Sequence, residues 1–323
     1  MLFPFNTPTS LIVFGAALLV ALAIDHYLGE PAARLHPVVW MGDYLNWAAK
    51  RLQPNPSPAV RDVKSFWLAS AYWSVGAALV FTVSCVVQWA ALLLPWYAAV
   101  FLLGLAIKPM LAWAMLRSEV TAVEVALCES LDAGRQRLAM LVSRDTANLS
   151  ETEVRESAIE SLAENLNDSV VAPIFWFVLF GLPGAAVYRF ANTADAMWGY
   201  RGLRNGVNWE WAGKWAAWAD DVLSWLPARM TALLLKLLSR GVDFKTLSLE
   251  AHKTPSPNSG WPMAAMALAL GIRLQKPGVY ALNPSGRPPE RKDTVLAQKI
   301  ALKVVAVGCL CAQAAILLIA ILQ

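Results

Sequence analysis

Between Ser150 and Asp168 five carboxylates, Glu153, Glu156, Glu160, Glu164 and Asp168, recur at intervals of three and four residues. On a helix that spacing lines them up on one side, with Val154, Ala158, Leu162 and Leu166 as an apolar stripe roughly opposite. Ser150 and Glu153 form a capping-box pattern, so a helix is expected to start there. A solvated acidic face is the plainest reading. Against it, like charges four residues apart repel by about 0.2–0.5 kcal/mol per pair. No Lys or Arg sits at the matching spacing to offset Glu156, Glu160 and Glu164. A bound cation would relieve the repulsion, and oxygen-only ligands suit Mg²⁺, which usually bridges carboxylates to substrate phosphates. Glu160, Glu164 and Asp168 are the expected metal ligands and catalytic carboxylates, with Asn165 assisting.

Three further blocks carry polar chemistry. Asn192, Thr193 and Asp195, in Asn192–Arg201, follow directly on an apolar segment; a juxtamembrane loop is the alternative to a binding and catalytic block. Asp220 and Asp221 precede Arg229 in a hydrophobic background, where charges either mark function or snorkel to the interface. Arg229 is expected to meet an anion, either one of those aspartates or a substrate phosphate. In Ser256–Pro262, Asn258 or Ser259 can cap an apolar helix whose start could hold an anion, and a rigid turn is the alternative. His36, before Pro37, could act as acid or base, although a surface histidine is the simpler reading.

These residues must be held by elements built for a bilayer. The 323 residues are 57% hydrophobic and 15% charged, well below the usual charged fraction of soluble domains. Phe66–Ile107 holds 42 residues without an ionised side chain, enough for two spans, and Ser169–Tyr188 and Val304–Gln323 hold 20 each. The chain is expected to be an all-α, polytopic membrane protein. A single domain over 1–323 should carry about four to six spans near 10–28, 66–87, 90–115, 170–188 and 304–322, with 222–238 undecided between spanning, re-entering and lying along the interface. The segment 170–188 reads as a full or broken helix, since Pro173 and Gly181–Gly184 interrupt it. Trp67, Trp89, Trp96 and Trp113 suit interfacial belts, and 54–58 reads as a proline-rich turn. No Lys or Arg precedes Leu11–Ile24, so an uncleaved first helix is expected rather than a signal peptide.

Ser239–Lys303 contains ten of the 27 basic residues, Asp25–Ser65 five and Lys108–Asp168 six, which places all three segments in the cytoplasm and both termini outside. Net charge is only +4 and the basic residues are scattered among acids, so no nucleic-acid partner is indicated. Cys85, Cys128, Cys309 and Cys311 show no zinc or redox spacing and are expected to be buried and inert. There is no Walker A loop, Rossmann fingerprint, HExxH or nucleophile elbow.

Taken together the blocks resemble the adenosylcobinamide-phosphate synthase family of cobalamin biosynthesis. The resemblance covers nearly the whole chain. It rests on Asp25-xxx-Gly29-Glu30-Pro31 with His36-Pro37, on Glu160-Ser161-Leu162-Ala163-Glu164-Asn165-xx-Asp168, and on Asn192-Thr193-x-Asp195-x-Met197-x-Gly199-Tyr200. Asp220-Asp221 with Pro227-Ala228-Arg229, and Ser256-Pro257-Asn258-Ser259-Gly260-Trp261, complete it. Trp218 stands where the family usually has Arg, and Ala194 where it has Leu. The resemblance implies a ligase that joins adenosylcobyric acid to aminopropanol or its phosphate by an amide bond, with ATP as cosubstrate and Mg²⁺ as metal. Asn165, Asn192, Thr193, Arg229, Asn258 and Ser259 would then bind the nucleotide, and Glu160, Glu164, Asp168 and Asp195 would serve catalysis. The implied setting is a bacterial inner membrane, multi-pass, with the active site facing the cytoplasm. The expected partners are the corrinoid, the amine and the lipid bilayer, with a homo-oligomer or a complex with later cobalamin-assembly membrane enzymes as further possibilities. The alternatives are a non-catalytic membrane signalling protein of the related ampicillin-resistance type, or a transporter.

Overall fold

Proline and glycine decide where the apolar runs bend. A computed structural model of the chain describes residues 8–52, 54, 61–204, 206–239 and 242–322, so the turn expected at 54–58 lies outside them apart from Pro54. The helices are α1 (Pro8–Leu28), α2 (Pro37–Ala49), α3 (Val63–Leu92), α4 (Trp96–Ile107), α5 (Trp113–Glu129), α6 (Leu131–Ala139) and α7 (Glu151–Leu166). They continue with α8 (Ala172–Trp198), α9 (Trp209–Ala212), α10 (Lys214–Leu238), α11 (Phe244–Ala251), α12 (Gly260–Leu270) and α13 (Arg291–Ile321). Two short antiparallel hairpins interrupt them, β1 (Leu203–Arg204) with β2 (Val207–Asn208), and β3 (Leu274–Lys276) with β4 (Tyr280–Leu282).

The chain is thus an all-α polytopic membrane protein. Among the described residues four helical stretches are long and apolar enough to cross a bilayer: Val63–Leu92, Trp96–Glu129, Glu151–Trp198 and Arg291–Ile319. Ile12–Leu28 and Gly260–Leu270 are shorter apolar helices. The helix expected at 90–115 is instead broken, because α4 ends at Ile107, a 3-10 turn runs Lys108–Met110, and α5 starts at Trp113. Pro109, with no N–H to donate, suits that break. Residues 222–238 lie within α10, which is not among the four stretches.

By contacts the chain divides into two units, each assembled from separated segments. The first comprises Met1–Leu111, Ala172–Leu223 and Ala312–Gln323; the second comprises Ala112–Val171 and Ser224–Cys311. In the first, α1 packs on α4, and both α2 and α3 pack on α8. A Cβ on Gly104 would stand 2.6 Å from Val20 Cγ1, so glycine here permits the close approach of α1 and α4. Gly181, at φ +68°, breaks α8 just before Pro183. The break leaves the Leu182 N–H without a helical acceptor, and Gln88 Oε1 from α3 accepts it at 2.8 Å. Hydrocarbon offers no water to do this, so an irregular backbone at membrane depth needs such a side chain.

In the second unit α5 packs on α6 and α7, and α12 and β3 also pack on α7. Val123, Leu127, Leu138, Leu149, Val154 and Ala158 form a buried cluster there. Two expectations about exposure need correction. Trp67, Trp89 and Trp96 are exposed as an interfacial belt requires, but Trp113 is buried at the start of α5. Of the four cysteines only Cys309 is buried, while Cys128 and Cys311 are exposed.

Gly181→Ala should destabilise the protein by about 1–3 kcal/mol, since it imposes a positive φ on a residue with a Cβ. That Cβ would also sit 2.3 Å from Gln88 Oε1. Thermal unfolding in detergent measures the loss, and an unchanged midpoint would contradict the account.

Candidate active site

The capping box at the start of α7 forms as the sequence requires. Ser150 Oγ accepts the Glu153 N–H at 3.3 Å, and the Ser150 N–H donates to Glu153 Oε2 at 2.8 Å. Beyond that first turn most of the helix is buried, with Glu156 fully buried and Glu160 only 2% exposed, while Arg155, Glu164 and Asn165 are partly exposed. A solvated acidic face is therefore not what the pattern encodes. The compensating cations are also present, at positions no helical spacing could reveal. Arg144 Nη2, from the chain before α7, donates to Glu160 Oε2 at 2.5 Å. Arg273 Nε, from the turn between α12 and β3, donates to Glu156 Oε1 at 3.2 Å. One helical turn separates the two carboxylates, so two guanidinium groups are drawn to one stretch of α7.

The β3–β4 hairpin completes this group. Lys276 and Tyr280 are register partners; the Tyr280 hydroxyl hydrogen-bonds with Glu160, and the Lys276 charge acts on it. Burial, and after it the charges of Glu160 and Glu164, push the Tyr280 hydroxyl above its usual value. Asn165 turns back on its own helix, its Nδ2 donating to Ser161 O at 3.0 Å. Past α7 the helix widens into a π turn over Asn167–Val171, where Asn167 Nδ2 donates to Asp168 Oδ1 at 2.7 Å and Asn167 Oδ1 accepts from Thr231 Oγ1 at 3.0 Å. Such turns concentrate at functional sites. Glu156 Oε2 is buried without a hydrogen-bond donor, and Glu160 adds only the Tyr280 hydroxyl to its bond from Arg144. These carboxylate oxygens are hard acceptors of the kind Mg²⁺ takes. Among the described residues no group of three or more His, Cys, Asp or Glu could hold a metal ion. A metal held here would take only one or two of these carboxylates and would complete its shell with phosphate and water.

Arg229, also in the second unit, meets neutral acceptors there. Its Nη1 donates to Trp225 O at 2.7 Å and to Asn258 Oδ1 at 2.9 Å, and its Nη2 donates to Pro257 O at 3.2 Å. Neutral carbonyls hold it, and it lies over the Trp225 ring at 4.3 Å. The Ser256–Pro262 block is thereby tied to α10. Ser259 occupies the N-cap of α12 but makes no side-chain cap; instead Ser256 Oγ accepts the N–H groups of Asn258 and Ser259, each at 3.2 Å.

In the first unit Asn192–Trp198 form the last turns of α8, and only Gly199–Arg201 leave the helix. Asn192 Nδ2 donates to Asp220 Oδ1 at 3.4 Å, and Thr193 Oγ1 is spent on Arg189 O at 2.7 Å. Asp195 lies one turn further, where a Cβ on Gly199 would collide with its Oδ1. Burial raises the Asp221 carboxyl above its usual value against the pull of Arg201.

A second charged cluster went unforeseen because its lysine sits in an apolar run. Lys108 is 2% exposed, and its Nζ lies 3.3 Å from Asp25 Oδ1 and 2.5 Å from Glu30 Oε2. His36 is no surface histidine: its Nδ1 accepts the Val38 N–H at 3.2 Å and caps α2. That bond leaves the proton on Nε2, which lies 3.1 Å from Glu30 Oε2. Burial raises the Glu30 carboxyl, but the His36 and Lys108 hydrogen bonds outweigh it and leave it below the usual carboxylate value.

Fold and site together define a polytopic helical membrane protein that carries buried carboxylate and guanidinium groups outside its charge-free runs. The CobD/Cbib protein family matches residues 18–306, and the chain belongs to that family of cobalamin biosynthesis proteins. It is 41% identical over 283 residues to the probable cobalamin biosynthesis protein CobD of Methanothermobacter thermautotrophicus, covering 83% of this chain and 86% of the relative. The probable CobD of Thermococcus kodakarensis is 42% identical over 283 residues, with 87% and 89% covered. The CobD of Brucella anthropi is 35% identical over 298 residues, with 85% and 88% covered. No solved structure matches the chain.

Lys108→Met should cost about 3–5 kcal/mol, because it removes the cation from the buried Asp25 carboxylate and from the partly buried Glu30. Chemical unfolding in detergent reads this, and a variant as stable as wild type would contradict the pairing. The depressed Glu30 carboxyl contributes stability that is full above its unfolded value and is lost as pH falls through its folded one. The stability gap between wild type and Glu30→Gln should accordingly narrow on acidification from neutral pH, and a gap that widened would reverse the sign argued here.

Proposed function

We propose that this chain forms the amide bond between the free propionate carboxylate of adenosylcobyric acid and the amine of aminopropanol or aminopropanol phosphate, with ATP consumed. Membership of a cobalamin biosynthesis family supports the pathway. The reaction class is supported chiefly by the buried carboxylate and guanidinium group on α7, which offers hard oxygens and cations in one place.

A carboxylate at neutral pH resists a nucleophile, so it must first become an acyl donor. Its oxygen attacks the γ-phosphorus of ATP and ADP departs, leaving an acyl phosphate. The amine then attacks the carbonyl carbon, phosphate leaves with the C–O electron pair, and the nitrogen loses a proton. Mg²⁺, when bound, would offset the charge that builds on the phosphates. In the second unit Glu160, Glu164 and Asp168 are the candidate carboxylates for that metal, one or two of them coordinating it, and Asn165, Arg229, Asn258 and Ser259 are assigned to the nucleotide. In the first unit Asn192 and Thr193 are assigned to nucleotide binding and Asp195 to catalysis. The positive-inside count supports a cytoplasmic side for Asp25–Ser65, Lys108–Asp168 and Ser239–Lys303, and leaves Arg189–Asp221, which carries Asn192, Thr193 and Asp195, undecided.

Purified protein incubated with ATP, Mg²⁺, cobyric acid and a panel of amines tests the reading by the mass of the corrinoid product. ATP should turn over only when corrinoid and amine are both present. Absence of turnover would favour a signalling role, and solute movement in sealed vesicles would favour a transporter. Glu164→Gln keeps shape and removes charge, so its rate should fall at least about a hundredfold, roughly 2.7 kcal/mol of transition-state stabilisation, without loss of stability. A normal rate with a normal Mg²⁺ response would remove Glu164 from the metal site.

A further inference from the structure

We infer that Arg144 and Arg273 are phosphate-binding side chains, and that their ion pairs with Glu160 and Glu156 are the resting form of a subsite for a polyphosphate. This inference rests on the reading of the chain as an ATP-dependent ligase and names what in the second unit would grip the phosphates. Four observations carry it. Arg144 spends Nη2 on Glu160 Oε2, yet its Nη1 is buried with no hydrogen-bond acceptor. Each carboxylate likewise spends one oxygen on an arginine; Glu156 buries its other oxygen without a donor, and beyond Arg144 Glu160 has only the Tyr280 hydroxyl as a hydrogen-bonding neighbour. Both arginines come from irregular segments, Arg144 between α6 and α7 and Arg273 between α12 and β3, while both glutamates sit inside a rigid helix. Lys276 adds a third cation within electrostatic reach of Glu160.

An ion pair serving stability alone would be expected to use these remaining donors and acceptors, because buried polar groups left unmade are costly. A metal-bound polyphosphate supplies what both sides lack. Its oxygens accept from the guanidinium forks, and its cation takes the carboxylate oxygens. Two carboxylate–guanidinium pairs are exchanged for guanidinium–phosphate and carboxylate–metal contacts, and Lys276 is the third cation available to offset the net negative charge the polyphosphate brings. Guanidinium suits this task because its fork matches phosphate with two parallel hydrogen bonds. Without the cation, a phosphate must compete with Glu160 for Arg144.

That competition gives a test that a structural ion pair would not pass. Binding of inorganic triphosphate to the detergent-solubilised protein is measured by calorimetry, with Mg²⁺ and with chelator, for wild type, Glu160→Gln and Arg144→Lys. Arg144→Lys retains the charge beside Glu160 and so protects the fold, but it loses the fork. With Mg²⁺, Arg144→Lys should bind about tenfold more weakly than wild type. In chelator, Glu160→Gln should bind about tenfold more tightly than wild type, because its arginine has been released. Wild-type binding with both variants unchanged would overturn the subsite and leave the ligase reading standing. A wild type that binds no triphosphate in either condition would overturn both.

Discussion

An ionised carboxylate taken out of water has to be met by a cation, and both units are organised around that demand. In the first, Lys108 sits between Asp25 and Glu30, joining the end of α1, the segment after it and the turn that ends α4. In the second, Arg144 and Arg273 meet Glu160 and Glu156, and Glu124 is held by Arg155 Nε at 3.1 Å and by Thr294 Oγ1 at 2.6 Å. Removing one partner of such a pair costs more than the pair itself contributes, so these contacts fix which segments can pack together. Apolar surface drives burial in both units, but it does not discriminate among neighbours as a buried charge does.

The same need for compensation shapes the backbone. The break at Gly181 is tolerable because Gln88 receives the N–H it exposes, and the π turn at Asn167–Val171 coincides with Asn167 bridging Thr231 and Asp168. Each irregularity is thus anchored by a side chain from a different helix. This ties a local departure from helical geometry to a specific tertiary arrangement, and it puts polar groups beside apolar ones without leaving them unsatisfied.

What could be read from the residues was whatever depends on local spacing. The capping box at Ser150 and Glu153 and the charge-free runs follow from periodicity and composition, and the structure has them; glycine and proline left 170–188 open between a full and a broken helix, and the structure takes the broken form. The partners of the acidic helix could not be read in that way. Arg144 lies 16 residues from Glu160 and Arg273 lies 117 residues from Glu156, and neither distance leaves a periodic trace. Treating α7 as an isolated helix made its carboxylates look uncompensated and half of it look solvated. Lys108 was hidden for the opposite reason, as one cation at the end of a long apolar run. Within its own unit Arg229 is held by carbonyls of Trp225, Asn258 and Pro257, partners that no charge pattern in the sequence announces.

The chemistry proposed for the chain requires that the α7 group trade its internal ion pairs for a nucleotide. A ligand that bound elsewhere would leave the unused atoms of Arg144 and Glu156 as an unexplained cost. The most direct measurement is a structure determined in lipid nanodiscs with Mg²⁺ and a non-hydrolysable ATP analogue. The account predicts phosphate oxygens against the Arg144 guanidinium and the metal against carboxylate oxygens of α7, with the Arg144–Glu160 contact opened. A nucleotide bound away from α7, with that contact intact, would contradict it.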